Sequence, residues 1–220
     1  MPRLLISSHE PTRNRRLLKA VLKSIIRSMV RGAILAAVVC ACTATLGPVP
    51  RARAEQFWTP QALLADQFKT SKHVSYVKVR VEGTTRGAIE ARLGRPLPKS
   101  EYTVFVAKTE NRVDGYALFD EQVGQHEPIS FATFFDPAGA ITRVEVVAYR
   151  EPFGDGIRAD RFRKQFLGRS VRSRFRAGDD IDTISGATIS SRSACLAVER
   201  AALLVDAWLR NQASAVLATR

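Results

Sequence analysis

Four runs of strand-forming residues follow one another with very little between them: "YTVFVAK" (Tyr102–Lys108), "VDGYALFD" (Val113–Asp120), "PISFATFF" (Pro128–Phe135) and "ITRVEVVAY" (Ile141–Tyr149). Each is dense in β-branched and aromatic side chains, which fit a pleated, half-buried surface. Parallel neighbours need a crossover of a dozen or more residues, and no link here is long enough. The runs therefore predict an antiparallel meander. Asp136-Pro137-Ala138-Gly139 supplies the last turn, with Pro preset at its second position.

Helical signals surround the meander. "WTPQALLADQFK" reads as a helix with Thr59 as N-cap and Pro60 at the first helical position. "HVSYVKVRVEG" alternates Val77, Val79 and Val81 against Lys78 and Arg80, a strand with one wet face. "TTRGAIEARLG" reads as a short helix closed by Gly94. A short helix is expected around Arg158–Phe166, and a long one ends the chain. In that last helix Ala194, Val198, Ala201, Val205 and Trp208 form a buried stripe, while Arg192, Glu199, Asp206 and Arg210 form a polar one. Its start is expected at Ser190 or Ser191, either of which can serve as N-cap. The fold class is α+β: an antiparallel sheet meander flanked by helices, with a long C-terminal helix after a hydroxyl-rich loop.

The formal charge of +13 is unevenly placed. Residues 1–54 hold 10 Lys and Arg against one acid, Glu10, while the remaining 166 hold 24 against 20. The excess belongs to the leader, not to the body. Arg27 and Arg31 precede the charge-free run "GAILAAVVCACTATLG" (Gly32–Gly47), and Ala52-Arg53-Ala54 is a small-x-small cleavage site. The chain thus divides into a signal peptide, 1–54, with Met29 as an alternative start, and a body, 55–220. The run is short for the roughly 20 residues of a spanning helix. Cleavage after Ala54 ranks first, an uncleaved anchor second and a lipoprotein signal at Cys42 third. The positive flank stays on the cytoplasmic side, so the body is expected to be exported, periplasmic or membrane-anchored.

Other chemistries find little support. Only Cys195 remains in the body, so a cleaved chain has no intramolecular disulfide, and no Cys-x-x-Cys-His occurs. His73 and His126 stand alone, which argues against a metal site. Eight basic residues (Arg158, Arg161, Arg163, Lys164, Arg169, Arg172, Arg174 and Arg176) read first as a solvated face and second as a docking surface for an acidic redox partner or anionic lipid. An exported chain without interleaved aromatic and basic residues is not expected to bind nucleic acid.

What remains is "DIDTISGATISS", Asp180–Ser191, at the foot of the last helix. A helix start has free amides and the positive end of the dipole, a natural phosphate site. Gly186 permits positive φ or close approach of a ligand, and Ala187 is small enough to leave room above it. The bland alternative is a hydroxyl-rich helix cap.

Asp182-Thr183-Ile184-Ser185-Gly186-Ala187-Thr188 resembles the acceptor motif of the FMN-binding domain family, Asp-x-x-(Ser/Thr)-Gly-Ala-(Thr/Ser). That family includes the periplasmic C and G subunits of the sodium-pumping NADH:quinone reductase and of the Rnf complex. The resemblance extends upstream through the strands, a Glu-Gly loop and Phe166-x-Gly168, covering Val113 to Leu209 well and Phe57 to Arg112 loosely. It implies FMN carried as a phosphoester on Thr188, installed by a flavin transferase that uses FAD and Mg²⁺. It further implies cofactor contacts from Ser185, Gly186 and Ala187, with Ser185 bonding the phosphate or shaping the loop. Asp182 cannot favour an anion, so its implied role is recognition by the transferase or through Mg²⁺. In "REPFGDG", Glu151, Gly154 and Gly156 match a loop that in the respiratory subunits usually reads Glu-Thr-Pro-Gly-x-Gly; Pro152 and Phe153 depart from it. The function implied is electron relay between a donor and a membrane or periplasmic redox partner, rather than a self-contained enzyme. The alternative is an exported, non-redox module that binds flavin or another phosphate ligand without a covalent bond.

Overall fold

The computed structural model describes residues 55–218, with side chains described through residue 214. The signal, anchor and lipoprotein expectations, Cys40, Cys42 and Met29 all lie outside the described residues. The meander is present as read from the sequence. Strands β2 (His73–Arg80), β3 (Glu101–Thr109), β4 (Arg112–Val123), β5 (Pro128–Phe135) and β6 (Ile141–Tyr149) pair antiparallel in chain order. A two-residue strand, β1 (Glu55–Gln56), closes on β6, so the sheet order is β1-β6-β5-β4-β3-β2. Asp136 builds the β5–β6 turn through its carboxylate, which accepts from the amides of Ala138 and Ala140 at 2.9 Å each.

Each face of the sheet carries its own apolar cluster. Helix α1 (Pro60–Gln67) is capped by Thr59, whose hydroxyl accepts from the Ala62 amide at 3.2 Å. It lays Leu63, Leu64 and the following Phe68 on Ala107, Ala117, Ala132, Phe134 and Val147. Three alanines in adjacent strands let this short helix sit close. The opposite face is larger and holds α2 (Gly83–Leu93), the four-residue α3 (Asp160–Arg163) and α4 (Thr188–Ala218). Gly94 ends α2 with φ +66°, as its sequence position predicts.

Helix α4 is buried on more of its circumference than a single stripe. Ala194, Val198, Ala201 and Val205 face the sheet, but Cys195, Ala197, Ala202, Leu203 and Leu204 are buried as well. Burying each Val or Leu fully contributes roughly 1.5–3 kcal/mol. Trp208 is only partly buried, where its ring meets Tyr116 edge-on at 5.3 Å. Arg200, absent from the expected polar stripe, is 2 % exposed. It pairs with buried Asp120 and donates to Gln122 Oε1 at 2.9 Å and the Glu121 carbonyl at 2.8 Å. A charge inside the apolar stretch is tolerated because β4 brings a carboxylate and two further acceptors to it.

Strand β2 departs from its expected pattern. Val79 and Val81 are buried, but Val77 is 38 % exposed, and Val74 and Tyr76 are exposed on the other side. The alternation is genuine, yet β2 is the outermost strand, and the helices cover only its end. Among the described residues, no helix is long and apolar enough to cross a membrane.

Candidate functional site

The hydroxyl-rich loop is organised by a turn and by one serine. Ala187 donates its amide to the Ile184 carbonyl at 2.9 Å, closing a four-residue turn whose third residue, Gly186, has φ +77°. This is the position of a type II turn that requires a residue without a Cβ penalty. A Cβ built on Gly186 would meet nothing within 4 Å, so the glycine serves backbone conformation and opens onto free space. Ser191 is fully buried; its hydroxyl donates to the Ala187 carbonyl at 2.9 Å and accepts from the Ile184 amide at 3.2 Å.

Helix α4 therefore begins at Thr188, not at Ser190 or Ser191. Its first intrahelical bond runs from the Ser191 amide to the Ala187 carbonyl at 2.8 Å. The turn delivers the chain into helical geometry two to three residues earlier than hydropathy suggests, and both serines face inward instead of capping. Ser190 is 4 % exposed, and its hydroxyl bonds that of Tyr149 at 2.8 Å. The amides of Thr188, Ile189 and Ser190 reach no carbonyl of the preceding loop, leaving the donor set that every helix start presents. The Thr188 side chain is exposed beside them.

The other expected residues fall into two groups. Asp182 is exposed, with its backbone clasped by Gln165, which accepts from its amide at 2.7 Å and donates to its carbonyl at 3.3 Å. Its carboxylate makes no hydrogen bond among the described residues. Ser185 is exposed and its hydroxyl is equally unengaged, so Ser191 shapes the loop in its place. Ala187 does not leave room above the turn; it is 4 % exposed and its methyl belongs to the core. Its smallness is demanded by packing, whereas the open space lies over Gly186.

Residues 151–156 form the second wall. Gly154 has φ +98°, and a Cβ there would lie 2.6 Å from Ser190 Oγ and 2.7 Å from the Tyr149 hydroxyl oxygen. Gly156 approaches Ile184 equally closely, with a would-be contact of 2.8 Å. Both glycines are thus pressed against the helix start and the turn before it. Tyr149 fastens the wall by donating to the Phe153 carbonyl at 2.5 Å while Ser190 donates to it. Glu151 is buried, and its carboxylate accepts from the amides of His126 at 2.6 Å and Glu127 at 2.9 Å. Burial would raise its pKa, but the amides of Glu127, His126 and Gln125 outweigh that and hold it below the ordinary glutamate value. Gly124 makes the approach possible, since a Cβ there would lie 2.5 Å from the Glu151 carboxylate.

Together these walls enclose a cleft of about 220 Å³ lined by Gln125, Glu151, Phe153 and residues 186–190. Phe153 is 82 % exposed at its mouth and Ile189 is 45 % exposed beside it. Thr188, Gly186, Ala187 and Glu151 thus line one cleft, with Gly154 and Gly156 in its wall. Ser185 and Asp182 lie outside the lining. Tyr149, Gln125 and Gln165 carry no sequence signal of their own, because nothing but tertiary pairing singles them out; Ser190 and Ser191 signal a helix cap, not the buried bonds they make.

The basic segment divides. Arg163 pairs with Glu145 and Asp160, and Arg169 donates to the carbonyls of Gln165, Arg174 and Asp180 at 2.8, 3.0 and 2.6 Å. These two are structural ties. The other six are exposed, and Arg158 lies over the Phe57 ring at 3.4 Å. No group of acidic, histidine or cysteine residues among the described residues could hold a metal ion.

Residues 124–203 match the model of the FMN-binding domain family. The match spans the Glu151 loop, the turn at Gly186 and the first half of α4. Among solved structures, the chain is similar to NqrC of Shewanella oneidensis at 17% identity, covering 62% of this chain and 80% of that one with a TM-score of 0.41. It is also similar to the C subunit of the Na⁺-translocating NADH-quinone reductase of Parabacteroides distasonis at 19% identity, covering 63% and 83% with a TM-score of 0.38. No curated protein matches the chain.

Proposed function

We propose that this protein is an exported flavoprotein that holds FMN through a phosphoester to the Thr188 hydroxyl and relays electrons at the periplasmic side of the membrane. The carrying observation is the placement of Thr188. An exposed hydroxyl stands on the first residue of a long helix, beside three open amides, in a cleft whose lining lies within the stretch that matches the FMN-binding domain model. A phosphodiester carries one negative charge at neutral pH, and the amides and dipole of a helix start favour that charge.

The residues present fit the group. The open space over Gly186 admits a phosphate, and about 220 Å³ is room for that end of the nucleotide but not for all of it. The exposed faces of Phe153 and Ile189 offer apolar surface to a planar ring. FMN supplies the redox chemistry when bound; the protein contributes attachment, orientation and exposure. Glu151 keeps its wall in place with its charge already satisfied by backbone amides. Gly186 and Ser191 hold the Thr188 hydroxyl outward.

Maturation would fall to a flavin transferase using FAD and Mg²⁺, with Asp182 as part of what that enzyme reads. Its exposed, unengaged carboxylate on a rigidly held backbone suits such a role. Export rests on the leader sequence, and partners would be membrane or periplasmic redox proteins. The test is intact mass of the protein exported from a host that has the transferase. The reading expects a gain of one FMN less one water, yellow colour that survives denaturation, loss of both in Thr188→Ala, and partial retention in Thr188→Ser. Unchanged covalent flavin in Thr188→Ala rejects it.

A further inference from the structure

We infer that the outer edge of β2 pairs with β2 of a second copy, antiparallel about a two-fold axis at Val77, joining the two sheets into one. Val74, Tyr76 and Val77, three of the exposed large apolar residues, are gathered on this strand. The strand is regular, with no bulge in its pairing to β3 and no proline. Long regular edges are templates for another strand unless something blunts them. Val81 donates to the Ser100 carbonyl at 2.9 Å, and the register pairs Arg80 with Glu101 and His73 with Lys108. Odd-numbered residues therefore turn their backbone groups toward β3, and Val74, Tyr76, Lys78 and Arg80 present theirs outward.

Charge selects both the occupant and the register. Lys72, Lys78 and Arg80 already have acids of their own chain, Glu110 at 2.9 Å, Glu101 at 3.1 Å and Glu82 at 3.8 Å, so the edge does not demand an acidic stranger, and a copy fits where its basic residues avoid one another. A two-fold axis normal to the sheet keeps equivalent faces together, which allows only pairs of like parity. Centred on Val77, the pairing sets Lys72 opposite Glu82, Tyr76 opposite Lys78, and Val74 opposite Arg80. Centred on Tyr76 it would oppose Lys72 to Arg80; centred on Lys78, Lys78 to itself; centred on Ser75, Lys72 to Lys78. Like charges directly opposite are destabilising, and of these four registers, which keep most of the strand paired, that centred on Val77 alone avoids them.

The test uses the full chain with Cys40 and Cys42 replaced by Ser, since Cys195 is buried. Sedimentation should show concentration-dependent dimers, and Val77→Lys should make the protein monomeric at the same concentrations with its melting temperature retained. Lys72→Glu and Glu82→Lys should each weaken the dimer severalfold, and the double exchange should restore it. Mild oxidation should cross-link Val77→Cys to itself, because directly opposite Cβ atoms at a non-hydrogen-bonded pair approach disulfide distance, and should leave Tyr76→Cys unlinked. A monomer at the highest concentration reached, preferential linkage through Tyr76→Cys, or linkage of Val77→Cys to a different protein would overturn the inference.

Discussion

The hydroxyl of Tyr149 lies 2.8 Å from that of Ser190, and this one contact docks the Glu151–Gly156 loop on the start of α4. Tyr149 is the last residue of β6 and Ser190 the third of α4, so sheet and helix meet at the cleft through two buried side chains. Because Tyr149 also donates to the Phe153 carbonyl, Ser190 must be the donor to Tyr149.

Tyr149→Phe removes both bonds and leaves the Ser190 hydroxyl buried without its partner. Each net bond is worth roughly 0.5–1.5 kcal/mol, so a loss of about 1–3 kcal/mol is expected in urea unfolding. On the proposed function, flavin loading should fall as the wall loosens. Retention of wild-type stability would show that Tyr149 does not hold the loop.

The two positive-φ glycines of the cleft should respond in order. Gly186→Ala places a Cβ in open space, so its cost is backbone strain alone, of order 1–3 kcal/mol. Gly154→Ala adds contacts of 2.6 and 2.7 Å with Ser190 and Tyr149 to a similar strain. It should therefore be the more destabilising and should disturb Tyr149. Paired chemical denaturation of the variants checks the order, and equal costs would contradict it.

Glu151 should make the protein acid-sensitive in a particular window. Its pKa is lowered in the folded state, so its contribution is complete above the ordinary value of 4.5 and is lost as pH falls through the lower folded value. In Glu151→Gln that part of the pH dependence should disappear, while the variant is less stable at neutral pH because amides of residues 126 and 127 lose a charged acceptor. Melting temperatures between neutral and strongly acidic pH test this, and parallel curves for both proteins would refute it.

Arg200→Met should cost about 3–5 kcal/mol, the usual penalty for stranding a buried charge, here Asp120. Adding Asp120→Leu should recover much of it, because a well-packed apolar pair can replace a buried ion pair. Lys99, 3.5 Å from Asp120, is too exposed to substitute for the guanidinium. A double-mutant cycle reads the coupling directly.

Cys195 should be inert in the folded protein. Burial pushes its thiol up to about 12, so little thiolate exists near neutral pH. Alkylation should proceed only at the rate of unfolding, and rapid labelling in native buffer would show that the first turns of α4 open locally.

The meander, Thr59 cap, Gly94 stop and the positive φ of Gly186 were legible because each rests on local chemistry: short links, a capping hydroxyl, or a glycine at a special φ. The start of α4 was misread because Ser190 and Ser191 look like caps until Tyr149 and the Ile184–Ala187 turn claim them. Arg200 falls in neither stripe read from the sequence, because only the folded chain brings Asp120 of β4 to it. Val77 read as buried because alternation reveals the two faces of a strand but not whether a helix reaches that far along the sheet. The wall from Glu151 to Gly156 could be matched to the motif by pattern, yet its closeness to Ser190 is a contact across 36 positions that only the folded chain displays.

The turn at Gly186 settles an order of events. Its bonds, from Ala187 to Ile184 and through Ser191 and Gln165, are all made by the polypeptide itself. Folding can thus finish before any cofactor arrives, unlike a small metal domain that collapses only around its ion. On the proposed function, a finished apoprotein can wait with the Thr188 hydroxyl already exposed, and a modifying enzyme need recognise only a rigid loop. On that reading, supply of cofactor limits how many molecules are loaded, not how many survive.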